Sequence, residues 1–288
     1  MGEPARKLPI PEIDETGETD FDLLDDEPST VTILQRWVER PDGSMEILEL
    51  PLTPELFLNP ELEDTMVQGR THGLVRGYFA EMLQRRFRSQ TDVMVLEDVK
   101  HFLTPGRGPA PDISVIRGAR LPDLVEESFS ATEQGVVPCL VIEVVSPKDA
   151  RIRRTDEVDK VKLYERVGIP EYLLVDLPRR ATRHRFRLKG YRLDADRHYL
   201  PIEPDAQERL LSVTTGLRFG VSAAGDWLEI YDAETGERLL RPLEEVEARQ
   251  AAEERAAREA AARQAAEDEL AKLRAQIEQL GKLSQPGH

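Results

Sequence analysis

PCLVIEVVSPKDARIRRTDEVDKVKLYERVGIPEYLLVD, residues Pro138–Asp176, decides the fold. Cys139 to Val145 is an almost unbroken apolar, β-branched run, the pattern of a strand buried on both faces. Pro147 ends it. A charged loop follows, then a helix on which Val161, Tyr164 and Val167 recur at spacings of three, with Leu163 beside them. Gly168 stops the helix, and Tyr172 to Val175 makes a second buried strand. Strand, helix and strand in this order predict an α/β fold, a mixed central sheet flanked by helices. Glu143 disturbs the apolar run. An unpaired charge out of water is costly, so a carboxylate in a central strand demands a partner.

Upstream, Val31 to Pro51 gives two alternating runs around Pro41-Asp42-Gly43-Ser44, a hairpin. Pro51 to Asp64 reads as irregular and turn-rich. HGLVRGYFAEMLQRRF then carries Leu74, Val75, Tyr78, Phe79, Met82, Leu83 and Phe87 as one helical stripe, with His72 at its start and Glu81 along it. Asp92 to Leu96 reads as a strand and Phe102 to Pro111 as a loop. Ile113, Val115 and Ile116 make a short strand, and Asp112 stands at its entrance. Leu121 to Val137 is a polar excursion. Downstream, Arg179-Arg180 marks a turn, and Phe186 and Leu188 alternate with Arg185, Arg187 and Lys189. Leu200 to Leu217 reads as strands and turns, and Trp227 to Tyr231 as a last short strand.

Charge separates the chain into three parts. Residues 1–30 hold ten Asp and Glu against Arg6 and Lys7, a net of −8 out of −16, and are too poor in apolar residues to fold. Residues 31–242 form the globular domain. Residues 243–283 are a charged, Ala-rich run of good helix formers without a breaker, predicting one long C-terminal helix. A heptad seam is clear only at Leu270, Leu273, Ile277 and Leu280, so a solvated single helix and a short coiled coil remain equal alternatives.

The acidic balance excludes a general polyanion-binding protein, since phosphate binding rests on clustered Lys and Arg, but leaves room for a local basic groove. The single cysteine, Cys139, falls inside the apolar strand and rules out a disulfide framework. No apolar run is long enough to span a bilayer, the first twenty residues lack a signal-peptide core, and Arg6 replaces the Ser or Thr a myristoylation signal needs. A soluble, reducing, cytoplasmic setting follows as the expectation, with no membrane partner.

Asp112, Glu143 and Lys160 are the groups suited to chemistry. Two carboxylates brought together from neighbouring strands make a hard-oxygen site of the kind Mg²⁺ prefers. An ion there would act as Lewis acid and water activator, and a lysine beside it could orient the water or offset developing charge. The main-chain carbonyl of Val144 could complete the coordination. Arg151, Arg153 and Arg154 in the charged loop, with Arg185 and Arg187, could line a groove for phosphates; the bland alternative is a solvated strand face and a basic loop. No aromatic platform interleaves with them, so single-strand stacking has no support.

Pro111-Asp112, followed about thirty residues later by Glu143-Val144-Val145, resembles the PD-(D/E)xK nuclease superfamily, and more closely its Uma-two family of restriction-endonuclease-like proteins. Ser146, Pro147, Asp156, Lys160, Tyr164, Gly168, Glu171, Tyr172, Val175 and Asp176 follow in the family's order. The resemblance covers roughly residues 45–220. It implies a restriction-endonuclease-like fold and an Mg²⁺-dependent endonuclease (Mn²⁺ as a substitute) with nucleic acid, DNA foremost, as partner. It also implies Asp112, Glu143 and Lys160 as catalytic residues, with Asp112, Glu143 and Val144 at the metal. Val145 stands where the superfamily has lysine, so the role passes to a helix lysine: Lys160, with Lys162 and Lys148 as rivals. The resemblance puts a histidine at His72, an accessory candidate whose bland reading is a surface or capping group. Glu81 is the other accessory candidate, and its bland reading is a solvated charge. A catalytically silent nucleic-acid-binding or assembly module on the same core is the rival function, and a homodimer, with or without the C-terminal helix, the expected assembly.

Overall fold

In a computed structural model of the protein, the described residues are 32–66, 69–119, 128–145, 150–178 and 183–283. The acidic leader, Ser146 to Asp149 with Lys148 among them, and Arg179-Arg180 lie outside them. In chain order the elements begin with β1 (Ile33–Glu39), β2 (Met45–Pro51), α1 (Pro54–Leu58), β3 (Asp64–Met66) and α2 (Arg70–Phe87). They continue with β4 (Val93–Glu97), β5 (Lys100–Phe102), β6 (Ile113–Arg117), β7 (Ser128–Ser130), α3 (Ala131–Gln134) and β8 (Leu140–Val145). One helical run then passes from α4 (Ala150–Arg154) through a π-helical turn (Thr155–Asp159) into α5 (Lys160–Val167). β9 (Glu171–Asp176), β10 (Arg187–Leu193), β11 (Tyr199–Pro201), β12 (Leu210–Ser212), β13 (Leu217–Val221) and β14 (Leu228–Asp232) complete the first compact unit, and α6 (Pro242–Leu283) makes the second.

The central sheet has the order β11-β10-β9-β8-β6-β4. β8 and β9 are its parallel pair, as a helical crossover requires, and every other pairing in it is antiparallel. The fold is therefore the expected mixed α/β sheet. Strand alternation divides its two faces. Leu140, Ile142 and Val144 of β8 pack with α2 and the β12–β14 sheet. Val141 and Val145 pack with Tyr164, Tyr172 and Leu174 on the α5 side. All of β8 and β9 is buried, which accounts for the continuous apolar runs.

Three expectations are corrected locally. Pro51 to Asp64 is not irregular: Thr53 caps α1 through its hydroxyl, and β3 pairs with β1. The loop arginines stand on a helix, because α4 continues directly into the π-helical turn and α5. Of the expected loop only its first residue, Phe102, is in a strand, closing β5 (Lys100–Phe102), which pairs parallel to β7. The hairpin forms with Glu39 opposite Met45, and its sheet encloses a small core of Leu34, Leu52 and Ile152. No described helix is long and apolar enough to cross a membrane.

Candidate active site

The pairing of β6 with β8 builds the site. Ile113 lies opposite Ile142, so one step further along the antiparallel ladder Asp112 meets Glu143. Both are buried, at 7% and 2% exposure. The backbone N–H of Val144 donates to Asp112 Oδ2 at 2.7 Å, and that of Asp112 to Glu143 Oε2 at 3.4 Å. Glu143 Oε1 accepts from the Tyr164 hydroxyl at 2.9 Å and lies 2.9 Å from Lys160 Nζ. The same ammonium is 2.9 Å from Asp156 Oδ1 and 3.9 Å from the centre of the Phe57 ring. Asp156 and Lys160 share one helical face by their i, i+4 spacing, and the π-helical turn between α4 and α5 presents them to β8.

His72 sits in the first turn of α2 with Nε2 3.3 Å from Asp112 Oδ2. It is 9% exposed, so it is neither a surface nor a capping group. Burial pushes its imidazole down, but Asp112 outweighs this and holds it above the ordinary value. Burial pushes Asp112 up in turn, and His72, Lys160 and the Val144 N–H together bring it below the usual carboxylate range. Glu143 goes the other way. Burial, aided by Asp112 and Asp156, pushes it up to about 8 against the pull of Lys160. Burial likewise lifts Asp156 to about 6. Lys160 stays above its ordinary value because Asp156, Glu143 and Asp112 outweigh burial.

A cleft of about 1070 Å³ opens over these groups and is lined by His72, Asp112, Glu143, Val144 and Asp156. Asp98, Glu49 and Asp226 also line it, while Arg70 is the one Arg or Lys among its described lining residues. Its aromatic wall has no signature in the sequence, because Phe57, Phe186 and Trp227 come from three distant segments. Among the described residues no three His, Cys, Asp or Glu side chains form a ready metal cage. The donor set still fits a hard divalent ion. Two carboxylate oxygens and a main-chain carbonyl would leave the other positions to water and substrate, as Mg²⁺ takes them. A buried carboxylate pushed up by like charges is also the donor that a cation relieves most.

Lys160 departs from the expected placement: it is fully buried behind Glu143 and does not line the cleft. Glu81 is on the exposed side of α2, away from the cleft, and is the solvated charge of its bland reading. Arg153 is committed internally, clasping Asp176 at 2.8 and 3.1 Å and Glu157 at 2.8 Å. Arg151, Arg154 and Arg187 are exposed outside the cleft lining, and Arg185 reaches the Ala223 carbonyl at 3.3 Å. The Uma-two-type residue Glu171 is structural, tied to Arg192, Ser212 and Thr214.

The sequence profile of the Uma2 family, described as "Putative restriction endonuclease", matches residues 45–228. A crystal structure described as "a putative nuclease belonging to DUF820" from Anabaena variabilis is similar with a TM-score of 0.37 and 18% identity, over 63% of this chain and 88% of that one. No curated protein matches the chain. The family profile covers well over half of the 288 residues, and the protein belongs to the Uma2 family of restriction-endonuclease-like proteins.

Proposed function

We propose that the cleft is the active site of a metal-dependent endonuclease that hydrolyses phosphodiesters in nucleic acid, DNA foremost. The observation that carries this reading is the pairing of Asp112 with Glu143 across β6 and β8 at the wall of an open cleft. Mg²⁺ or Mn²⁺, held by Asp112, Glu143 and the Val144 carbonyl, supplies Lewis acidity and an activated water when bound. The chain's own groups prepare those ligands. Val144 N–H and His72 keep Asp112 anionic and fix its Oδ2. Tyr164 and Lys160 hold Glu143 Oε1, which orients the carboxylate and opposes its protonation. Lys160 thus acts through Glu143 as a positioning residue. Because carboxylates outnumber Arg and Lys six to one in the described cleft lining, phosphates enter only once a cation offsets them, so substrate binding there requires the divalent ion.

Plasmid and oligonucleotide cleavage with Mg²⁺ or Mn²⁺ tests the reading, comparing the protein with Asp112→Ala and Glu143→Ala. Loss of a metal ligand worth several kcal/mol in the transition state lowers the rate at least about a hundredfold. Undiminished cleavage by either variant overturns the assignment. The silent-module reading draws support from Lys160, whose charge is fully engaged by internal carboxylates. It predicts metal-dependent binding by the unaltered protein with no cleavage.

A further inference from the structure

We infer that the substrate strand enters this cleft with its bases unpaired, stacking along an apolar track that ends on Trp37. The inference rests on the nuclease reading of the cleft and adds the form of nucleic acid it takes. Two observations carry it. First, the cleft offers apolar and aromatic surface in place of cations: Phe57, Phe186 and Trp227 line it, with Arg70 as the one Arg or Lys among its described lining residues. A duplex presents mainly its phosphate backbone and is gripped through Lys and Arg. A single strand presents base faces, which aromatic side chains hold regardless of sequence. Trp227 is the largest ring of this lining. It is braced edge-on by Tyr78 at 5.6 Å and Phe186 at 6.0 Å, which fixes the ring.

Second, the hairpin register prolongs the same wall outward. Ile33 and Gln35 of β1 and Glu49 of β2 line the cleft. Side chains two apart share a face of a strand, so Trp37 continues the row, with Ile47 opposite it. Both are uncovered, at 46% and 44% exposure. The two tryptophans of the chain therefore mark one course, Trp227 inside the cleft and Trp37 on the continuation of its wall. Apolar surface of this kind, joined to a site already assigned to nucleic acid, selects a strand whose base faces are free.

Fluorescence anisotropy with a short labelled phosphorothioate oligothymidylate, alone or annealed to oligodeoxyadenylate, tests this on the full chain in Mg²⁺. The unaltered protein should bind the single strand at least tenfold more tightly than the duplex. Trp37→Ala, on an exposed site that tolerates truncation, should weaken single-strand binding about five- to a hundredfold. Leu48→Ala, on the opposite face of β2, should leave it unchanged. Equal affinity for duplex and single strand, or a Trp37→Ala variant that binds like the unaltered protein, overturns the inference. In either case the nuclease reading stands or falls separately, on the response of cleavage to Asp112→Ala. Binding of neither form also overturns the inference.

Discussion

Lys160 is the residue on which the site's electrostatics turn. Its ammonium is the cation within 2.9 Å of both Glu143 and Asp156, and all three are buried. Removing one partner of a buried ion pair leaves an uncompensated charge and costs about 3–5 kcal/mol. Lys160→Met is expected to lose that much in urea unfolding. Without the ammonium both carboxyls rise further above their unfolded values, and a raised carboxyl loses stability as pH rises. The deficit is therefore largest at mildly alkaline pH, below the ordinary lysine value where the contribution of Lys160 itself begins to fade, and it shrinks on acidification. A deficit independent of pH would sever Lys160 from the carboxylates. His101 gives a second pH signature away from the cleft lining. Its Nδ1 faces the Val99 carbonyl at 2.6 Å, so Nδ1 carries the proton and Nε2 accepts from Ser114 at 2.8 Å. Burial pushes this histidine down to about 4 from 6.5. The unfolded chain therefore binds the extra proton first. The contribution, about 3 kcal/mol, is complete above 6.5 and is lost as pH falls toward 4. Unfolding curves of the protein and of His101→Gln should converge across that window, and parallel curves would contradict it.

At the scale of elements, β9 is anchored by its first residue. Glu171 is fully buried, pairs with Arg192 at 2.8 Å, and accepts from Ser212 at 2.5 Å and Thr214 at 2.6 Å. The backbone N–H groups of Val213 and Thr214 also donate to it. One carboxylate thus ties β9 and β10 to the turn after β12. Glu171→Ala strands these donors and the guanidinium, and should cost about 3–5 kcal/mol in chemical denaturation. Such a variant that unfolds like the parent would refute the staple. The helix before β9 ends as its sequence requires. Gly168 has φ +90°, and its N–H closes the last turn of α5 on the Tyr164 and Glu165 carbonyls. Gly168→Ala meets the left-handed penalty and the Arg197 guanidinium, which occupies the place of a Cβ. A loss of about 1–2 kcal/mol is expected from the backbone term, read by the shift in denaturation midpoint.

At the scale of the whole chain, the core up to Leu239 and the helix α6 are separate units. α6 is laced by ion pairs four residues apart, Arg249–Glu253, Glu254–Arg258 and Arg263–Glu267, on an exposed surface. Leu270 and Leu273 of the heptad seam are half exposed. Ile277 and Leu280 have side chains outside the described residues. If this seam joins two chains, deletion of residues 243–288 should convert a dimer to a monomer in sedimentation while the core keeps its cooperative unfolding. An unchanged oligomer removes that role from the helix.

How much was legible from the residues follows the range of the interaction concerned. Strand burial, the crossover around Glu143, the Gly168 stop and the long C-terminal helix are local consequences of composition and period, so the chain specified them without reference to anything distant. The adjacency of Asp112 and Glu143 was within reach because two regular strands and the Uma-two resemblance left one natural register. Three features were settled by tertiary packing. Lys160 went behind Glu143 because the π-helical turn rotates it into the core between two carboxylates. His72 became a partner of Asp112 because α2 lays its first turn at the end of β6, a contact across forty residues. The aromatic wall joined Phe57, Phe186 and Trp227, which share no sequence pattern. The sequence by itself determined which side chains are apolar and where the backbone turns, since those choices depend on near neighbours. Tertiary structure decided which charges are shut off from water and which faces line the cleft, because burial and proximity are properties of the packed chain.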